Sequence, residues 1–161
     1  MSKLYTGCGD KGYTRTLNNK HISKCDALIE LIGTLDEFSS CLGVAKVHIK
    51  DEALIYDIEL LQKKLIGIMG ELAGGEVNVF EECIKTVEKM TDRYSSGFDG
   101  FSLPGKNSAS AFLDLARCVV RRAERIAVKL SQQGRVRDLT LVYLNRTSDL
   151  VYAMSRYAEN K

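Results

Sequence analysis

Residues 108–133 read SASAFLDLARCVVRRAERIAVKLSQQ, and this stretch decides the fold. Phe112, Leu115, Ala116, Val119, Ala123, Ile126 and Leu130 recur at intervals of three and four, the spacing that lines one face of an α-helix. Ser108 is a suitable N-cap, and Gly134 a suitable stop. Cys118 falls among the apolar residues, as Cys41 does on an earlier stretch, and both are expected as small core fillers. The opposite face is less ordinary. At 100° per residue Arg117, Arg121, Glu124 and Arg125 fall within roughly a third of the circumference, with Arg122 beside them. A solvated face with i,i+4 ion pairs is the plain reading of such a run. Arginine instead of lysine favours a second reading, because its planar fork matches phosphate or carboxylate.

The same period extends outward in both directions. Leu28, Ile32, Leu35, Phe38, Leu42 and Ala45 mark a helix opening at an N-cap, Asp26. Leu54, Ile58, Leu61, Leu65, Ile68 and Leu72 mark a second, from about Asp51, which Gly74-Gly75 stops. A shorter one from about Val79 to Tyr94 carries Ile84, Val87 and Met90. The stretch from Ser95 to Lys106 holds Gly97, Gly100, Pro104 and Gly105 and reads as a loop. A last helix runs from about Asp138 to the C-terminus. There Asn145, Asp149, Tyr152 and Arg156 share a face opposite Leu144, Val151 and Met154. No segment alternates as a strand does, so no sheet is expected. The fold expected is all-α, a five-helix antiparallel bundle in one domain spanning 1–161, with residues 1–25 as an arm.

Composition narrows the function. The chain has 161 residues, 45% hydrophobic and 27% charged, with a formal net charge of +2. That balance predicts no general affinity for nucleic acid or membrane. The first residues carry no apolar segment, and the cytoplasm is the expected location. Five cysteines without a CxxC pair and two histidines, His21 and His48, without ligand-like spacing predict no metal site built of side chains alone. The arm is more specific. Thr6 to Thr16 packs three glycines, three threonines, a lysine and an arginine into eleven residues. Glycines let a backbone curl its N–H groups toward one anion, and lysine and hydroxyls add direct phosphate contacts. The spacing is neither that of a Walker A loop nor that of a dinucleotide-binding fingerprint.

Several motifs in the same order resemble the PduO-type ATP:cob(I)alamin adenosyltransferases. They are Gly9-Asp10-Lys11-Gly12, Ser23-Lys24, Gly33-Thr34-Leu35-Asp36-Glu37, Phe101-Ser102-Leu103-Pro104-Gly105, Ala116-Arg117 with Arg121-Arg122-Ala123-Glu124-Arg125, and Tyr143-Leu144-Asn145-Arg146 with Ser148-Asp149-Leu150. The resemblance implies a homotrimer with active sites between subunits, ATP with Mg²⁺ as co-substrate, and reduced cobalamin as the acceptor of the 5′-deoxyadenosyl group. It places Thr6, Gly7, Cys8, Gly9, Lys11, Thr14, Arg15 and Lys24 on one side of the nucleotide. Arg121, Arg122, Glu124, Arg125 and Asn145 stand on the other. It gives Arg121, Arg125 and Phe101 the catalytic roles, the last beside the corrin ring. Asp36, Arg117 and Asp149 go to the subunit interface. A cobalamin reductase and an adenosylcobalamin-dependent enzyme are the implied partners. The chain departs from the family pattern at Gly7, at Cys8 and around Asn18-Asn19. Cys8 stands where a threonine hydroxyl is usual, and a thiol donates only weakly. A non-catalytic helical interaction module and an adenosylcobalamin carrier are the alternatives.

Overall fold

The structure is a computed structural model that describes Tyr5, residues 7–95, Gly100 and residues 102–161. Five helices dominate it: α1 (Ala27–Val47), α2 (Glu52–Leu72), α3 (Glu81–Tyr94), α4 (Ser108–Ser131) and α5 (Asp138–Ala158). Two short strands precede them, β1 (Tyr13–Arg15) and β2 (His21–Ser23), paired antiparallel with Thr14 opposite Ile22. None of the helices is long and apolar enough to cross a membrane.

Each helix start has a local cause. Asp26 accepts from the Leu28 amide at 2.8 Å, and Asp51 accepts from those of Ala53 and Leu54. The Leu28 amide first, and Arg135 after it, hold the Asp26 carboxyl below the usual carboxylate range. The Tyr157 hydroxyl does the same for Asp51. For α4 the cap is Asn107 rather than Ser108: Asn107 and Ser110 exchange bonds as a capping box. The helix expected from Val79 begins at Glu81, because Val79 is buried ahead of it while its backbone is tied to α2. Gly134, at φ 68°, turns the chain out of α4.

The helices form a closed ring in the order α2, α1, α4, α5, α3. Cross-links show the directions. Gln62 donates to the Ser39 carbonyl and Lys46 pairs with Glu59, so α2 runs against α1. Arg122 pairs with Glu37, and Arg135, just past α4, with Asp26, so α4 runs against α1. Asn145 meets Glu124 and Ser155 meets Asp114, so α5 runs against α4. A ring of five cannot alternate throughout. The unavoidable parallel pair is α3 with α5, where Glu88 meets Arg146 and Tyr94 meets Tyr157. The ring closes from α3 to α2 through Asp57, 3% exposed, which accepts from Tyr94 Oη at 2.6 Å and Arg93 Nη1 at 2.7 Å. Burial, then the Asp57 carboxylate, push the Tyr94 phenol well up. Beside this clamp a cleft of about 230 Å³, lined by Leu60, Val87, Met90 and Tyr143 among others, separates the two helices.

Leu31, Leu35, Phe38, Leu42, Ile58, Leu65, Leu113, Leu130 and Leu144 fill the ring and are fully buried or nearly so. Two residues of the expected α4 stripe are outside it. Leu115 is 51% exposed and Cys118 is exposed, whereas Asp114 takes a buried position because Arg156 and Ser155 partner it. Cys41 is half-buried, and desolvation first and Glu37 second raise its thiol.

The first 25 residues were expected as a loop, with no sheet. The β1–β2 hairpin corrects that, and its turn is docked: the Leu17 amide donates to the Ala73 carbonyl at 2.8 Å. A Cβ on Gly74 would lie 2.4 Å from Asn18 Nδ2, and one on Gly75 3.2 Å from Leu17 Cδ1. The turn therefore fits these two glycines closely. Asn19, at φ 61°, takes the left-handed conformation that its short amide side chain tolerates. Tyr13 and His21 stack across the strands with ring centroids 4.9 Å apart, and His48 stacks on Phe112 at 5.2 Å.

One carboxylate ties α2, the α2–α3 connection and α5 together. Glu71 accepts from the amides of Asn78 (2.6 Å) and Val79 (3.1 Å), from the Thr140 hydroxyl (3.1 Å) and from Arg137 (3.5 Å). Burial raises its pKa, but these donors together outweigh burial and leave it depressed. A depressed carboxyl stabilises the fold above the unfolded value, about 4.3 for glutamate, and this contribution fades as pH falls through the lower folded value. Glu71→Ala is expected to cost about 2–4 kcal/mol at pH 7, from several charge-assisted bonds lost and amides left unpaired. Urea unfolding checks this: the gap to the native protein should narrow below pH ~4. An equal gap at pH 3.5 and 7 would refute the assignment.

Candidate nucleotide and corrinoid site

The arm is built from two successive turns. The Asp10 amide donates to the Gly7 carbonyl at 3.2 Å and the Gly12 amide to the Gly9 carbonyl at 3.3 Å. Gly7 and Gly12 have φ of 72° and 78°, which glycine adopts without cost. Between these bonds the amides of Gly9 and Lys11 have no partner among the described residues, and the Lys11 side chain is exposed. The Lys24 amide donates to the Gly12 carbonyl at 2.9 Å and folds β2 back onto the turns. Its ammonium lies over Gly9, where a Cβ would be 2.8 Å from Nζ. Thr14 and Arg15 continue along β1, Thr14 half-buried and Arg15 exposed. Cys8 is exposed. Thr6 and Phe101 lie outside the described residues.

The second half of the site is on α4 and α5. Arg121 and Arg125 are exposed one turn apart, and neither has an ion-pair partner among the described residues. Glu124 lies between them and accepts from Asn145 Nδ2 at 2.8 Å. Asn145 Oδ1 in turn accepts from Arg146 Nη1 at 2.8 Å. Arg122 points elsewhere: it pairs with Glu37 of α1, which first among several causes strengthens its hold on the proton. Arg117 stacks over the Tyr152 ring at 5.0 Å, and Arg156 also lies over that ring at 5.1 Å. The Tyr152 hydroxyl donates to the Gly100 carbonyl at 3.1 Å. Asp36 is exposed on α1 and unpaired among the described residues, and Asp149 is exposed on α5.

Within one chain the two halves are not joined. Gly9, Lys11, Thr14, Arg15 and Lys24 make no hydrogen bond or ion pair with Arg121, Glu124, Arg125 or Asn145. A cavity of about 560 Å³ opens where α3 and α5 end, beside Gly100 and Ser102. Tyr94, Tyr152, Tyr157, Asp149 and Arg156 line it. Among the described residues no group of three or more His, Cys, Asp or Glu could hold a metal ion.

The charged residues of α4 and the arm were legible from the sequence. The partners that orient them were not. Glu37, Glu88 and Asp114 sit 41 to 85 positions from the residues they bind, and no helical period signals a pairing across helices. A weak signal existed for Asp114, a carboxylate among the apolar positions of α4.

The fold has known counterparts. The family model for cobalamin adenosyltransferase matches residues 4–158. A corrinoid adenosyltransferase of Citrobacter freundii is 35% identical over 169 residues, covering 99% of this chain and 96% of its own. A corrinoid adenosyltransferase of Mus musculus is 33% identical over 176 residues, covering 100% of this chain and 74% of its own. A variant of the PduO-type ATP:corrinoid adenosyltransferase from Lactobacillus reuteri, solved with cobalamin and ATP, superposes with a TM-score of 0.89 at 30% identity. That match covers 98% of this chain and 91% of the Lactobacillus one. The chain belongs to the cobalamin adenosyltransferase family. Within it, the solved relative is of the PduO type.

The contact between Gly9 and Lys24 yields a test. Gly9→Ala must displace the far end of a flexible side chain, so the bundle should lose less than about 0.5 kcal/mol. ATP affinity should fall severalfold, because the ammonium leaves its place over the turns. Calorimetry with ATP checks the second effect and thermal unfolding the first. Unchanged affinity would show that the Lys24 position is immaterial.

Proposed function

We propose that this chain transfers the 5′-deoxyadenosyl group of ATP to the cobalt of reduced cobalamin, giving adenosylcobalamin and triphosphate. The observation that carries the site assignment is the pair of exposed guanidinium groups of Arg121 and Arg125, without an ion-pair partner among the described residues and flanking the Glu124–Asn145 pair. Cations left without carboxylate partners at neighbouring turns suit a polyanion.

The reaction needs no general base, since no proton is removed. The Co(I) electron pair attacks C5′, a Co–C bond forms, and the C5′–O bond breaks with its electrons going to the triphosphate. Cobalt is oxidised formally from Co(I) to Co(III). Charge accumulates on the leaving triphosphate, so the protein's electrostatic work is done there. Arg121, Arg125, Lys11 and Lys24 supply the donors, with the Gly9 and Lys11 amides, unpartnered among the described residues, and the Thr14 hydroxyl beside them. Gly7, Cys8 and Arg15 complete the arm side, and at Cys8 the backbone makes the contact. Asn145 faces the nucleoside. Arg122, held by Glu37, contributes long-range charge rather than contact. Thr6 and Phe101 keep the roles the resemblance gives them. An edge of the corrin then lies toward the cavity beside Gly100 and Ser102, where the Tyr152 hydroxyl donates to the Gly100 carbonyl.

Mg²⁺ fits as an ion carried on the triphosphate. It keeps most of its waters and needs one or two carboxylates rather than a protein cage, and Glu124 has one oxygen left after binding Asn145. When bound, it neutralises part of the triphosphate charge.

Because the arm and the α4–α5 face are not joined within one chain, the reading includes a homotrimer in which neighbours complete each site. Asp36 and Arg117 face each other across that boundary, with Asp149 nearby. Exposed Val44, Val47 and Leu115 on α1 and α4 supply apolar area for such a contact. Five unbridged cysteines and a Co(I) substrate both suit a reducing compartment, the cytoplasm. A reductase that makes Co(I) and an enzyme that consumes adenosylcobalamin are the partners this chemistry requires.

Incubation with ATP, Mg²⁺ and chemically reduced cobalamin should change the corrin absorbance to that of an alkylated cobalt. A folded protein producing no change would exclude the reaction. Arg125→Ala and Lys24→Ala should each lower turnover or ATP affinity roughly ten- to a hundredfold, the worth of one charged contact. Phe101→Ala should slow the cobalt step while ATP affinity stays near that of the native protein. A loss of ATP affinity in Phe101→Ala equal to that in Arg125→Ala would reverse the assigned roles. Light scattering at micromolar concentration should give the mass of a trimer, and a monomer mass would contradict the shared site.

A further inference from the structure

Asn145 has a fixed orientation, set on one side by Glu124 and on the other by a residue outside the nucleotide-binding set, Arg146. A side-chain amide offers two N–H donors and an oxygen with two lone pairs. Nδ2 donates to Glu124 Oε1 and Oδ1 accepts from Arg146 Nη1, both at 2.8 Å. Flipping the amide would set oxygen against carboxylate and N–H against guanidinium, so both charges oppose it. One N–H and one lone pair remain, in a set order, for a ligand. Arg146 is itself held from another helix: its Nε donates to Glu88 Oε1 of α3 at 3.1 Å. Both side chains of that pair are nearly half exposed, so the pair adds little to folding. Its consequence is directional, because it aims the guanidinium at Asn145.

We propose that Arg146, braced by Glu88, is a positioning residue for the nucleotide. It holds the Asn145 amide so that the remaining N–H and lone pair meet the adenosine moiety in one donor–acceptor order. This rests on the placement of Asn145 against the nucleoside in the reading above. It makes α3, which supplies no nucleotide contact, a determinant of ATP affinity.

The test is a double-mutant cycle over Asn145→Ala and Arg146→Met, with KM for ATP and kcat measured at saturating reduced cobalamin. Arg146→Met alone should raise the ATP KM about three- to tenfold, within the range of coupled neighbours, with kcat within about twofold of the native value. In the Asn145→Ala background the same change should have no further effect, because the residue it acts through is gone. Arg146→Lys should recover part of the affinity, since lysine can still donate to Oδ1. Equal effects in both backgrounds, or none in the native background, would overturn the proposal. If Arg146→Met fails to fold, Glu88→Gln should give a smaller shift of the same sign that also vanishes without Asn145, and additivity there would overturn it equally. If Asn145→Ala leaves ATP binding unchanged while Lys24→Ala and Arg125→Ala weaken it, the placement of Asn145 is wrong and this inference falls with it. If none of the three weakens ATP binding, the nucleotide reading itself has failed.

Discussion

A single helix has to be greasy on one side and cationic on the other, and most of the molecule is arranged around that demand. The Ala116, Val119, Val120, Ala123, Ala127 and Leu130 face of α4 is buried between α1 and α5. Arg121 and Arg125 have to stay in water on the far side. Small residues on the buried face let α1 and α5 approach closely, and that approach brings Glu37 to Arg122 and Asn145 to Glu124. The charges on α4 are thereby divided. Arg122 is consumed by Glu37, Arg117 lies over the Tyr152 ring, and Arg121 and Arg125 have no ion-pair partner among the described residues. A bundle with bulkier residues along α4 would hold α5 farther out and separate Asn145 from its carboxylate.

The ring of five also explains why polar groups are buried where they are. Three neighbouring pairs, α2–α1, α1–α4 and α4–α5, run in opposite directions, and α3 runs parallel to α5. The closure of α3 onto α2, again antiparallel, is made by a carboxylate, a phenol and a guanidinium, Asp57 with Tyr94 and Arg93. Directional bonds fix the angle at which α3 meets α2, beside the cleft between them. On the opposite side of α3, Glu88 and Arg146 act at the surface. Helix α3 is thus positioned by polar contacts on two sides, whereas α1 and α4 are positioned by burial.

The helices were legible because their period is strong: Leu28 through Ala45, Leu54 through Leu72 and Phe112 through Leu130 recur at threes and fours, although Leu31 and Leu113, both fully buried, are absent from the stripes read in the sequence. Helix α3 was legible from Val87 and Met90, but its start was not, because Val79 is apolar for a tertiary reason. The hairpin was missed for a physical reason. Its strands have three residues each, too few for an alternation to register, and its register depends on docking Leu17 at Ala73. Leu115 and Cys118 follow the helical period yet face outward, since periodicity counts apolar residues without knowing which neighbour covers them. On the site, the nature of the charges was legible and their pairing was not. Arg121 and Arg122 are adjacent and chemically identical, and only the approach of α1 distinguishes the one that is spent from the one that is open.

The seating of the hairpin turn on Gly74 and Gly75 gives α2 an unexpected burden. Because the arm leans on the end of this helix, the span from Ala73 to Phe80 serves as a ruler: it has to reach Glu71 on one side and leave room for Leu17 and Asn18 on the other. Adding or removing one residue there would swing the arm without altering any group that touches the nucleotide. Family members with different spacing after α2 would then need a compensating change at the tip of the hairpin, so that two stretches more than fifty positions apart vary in length together.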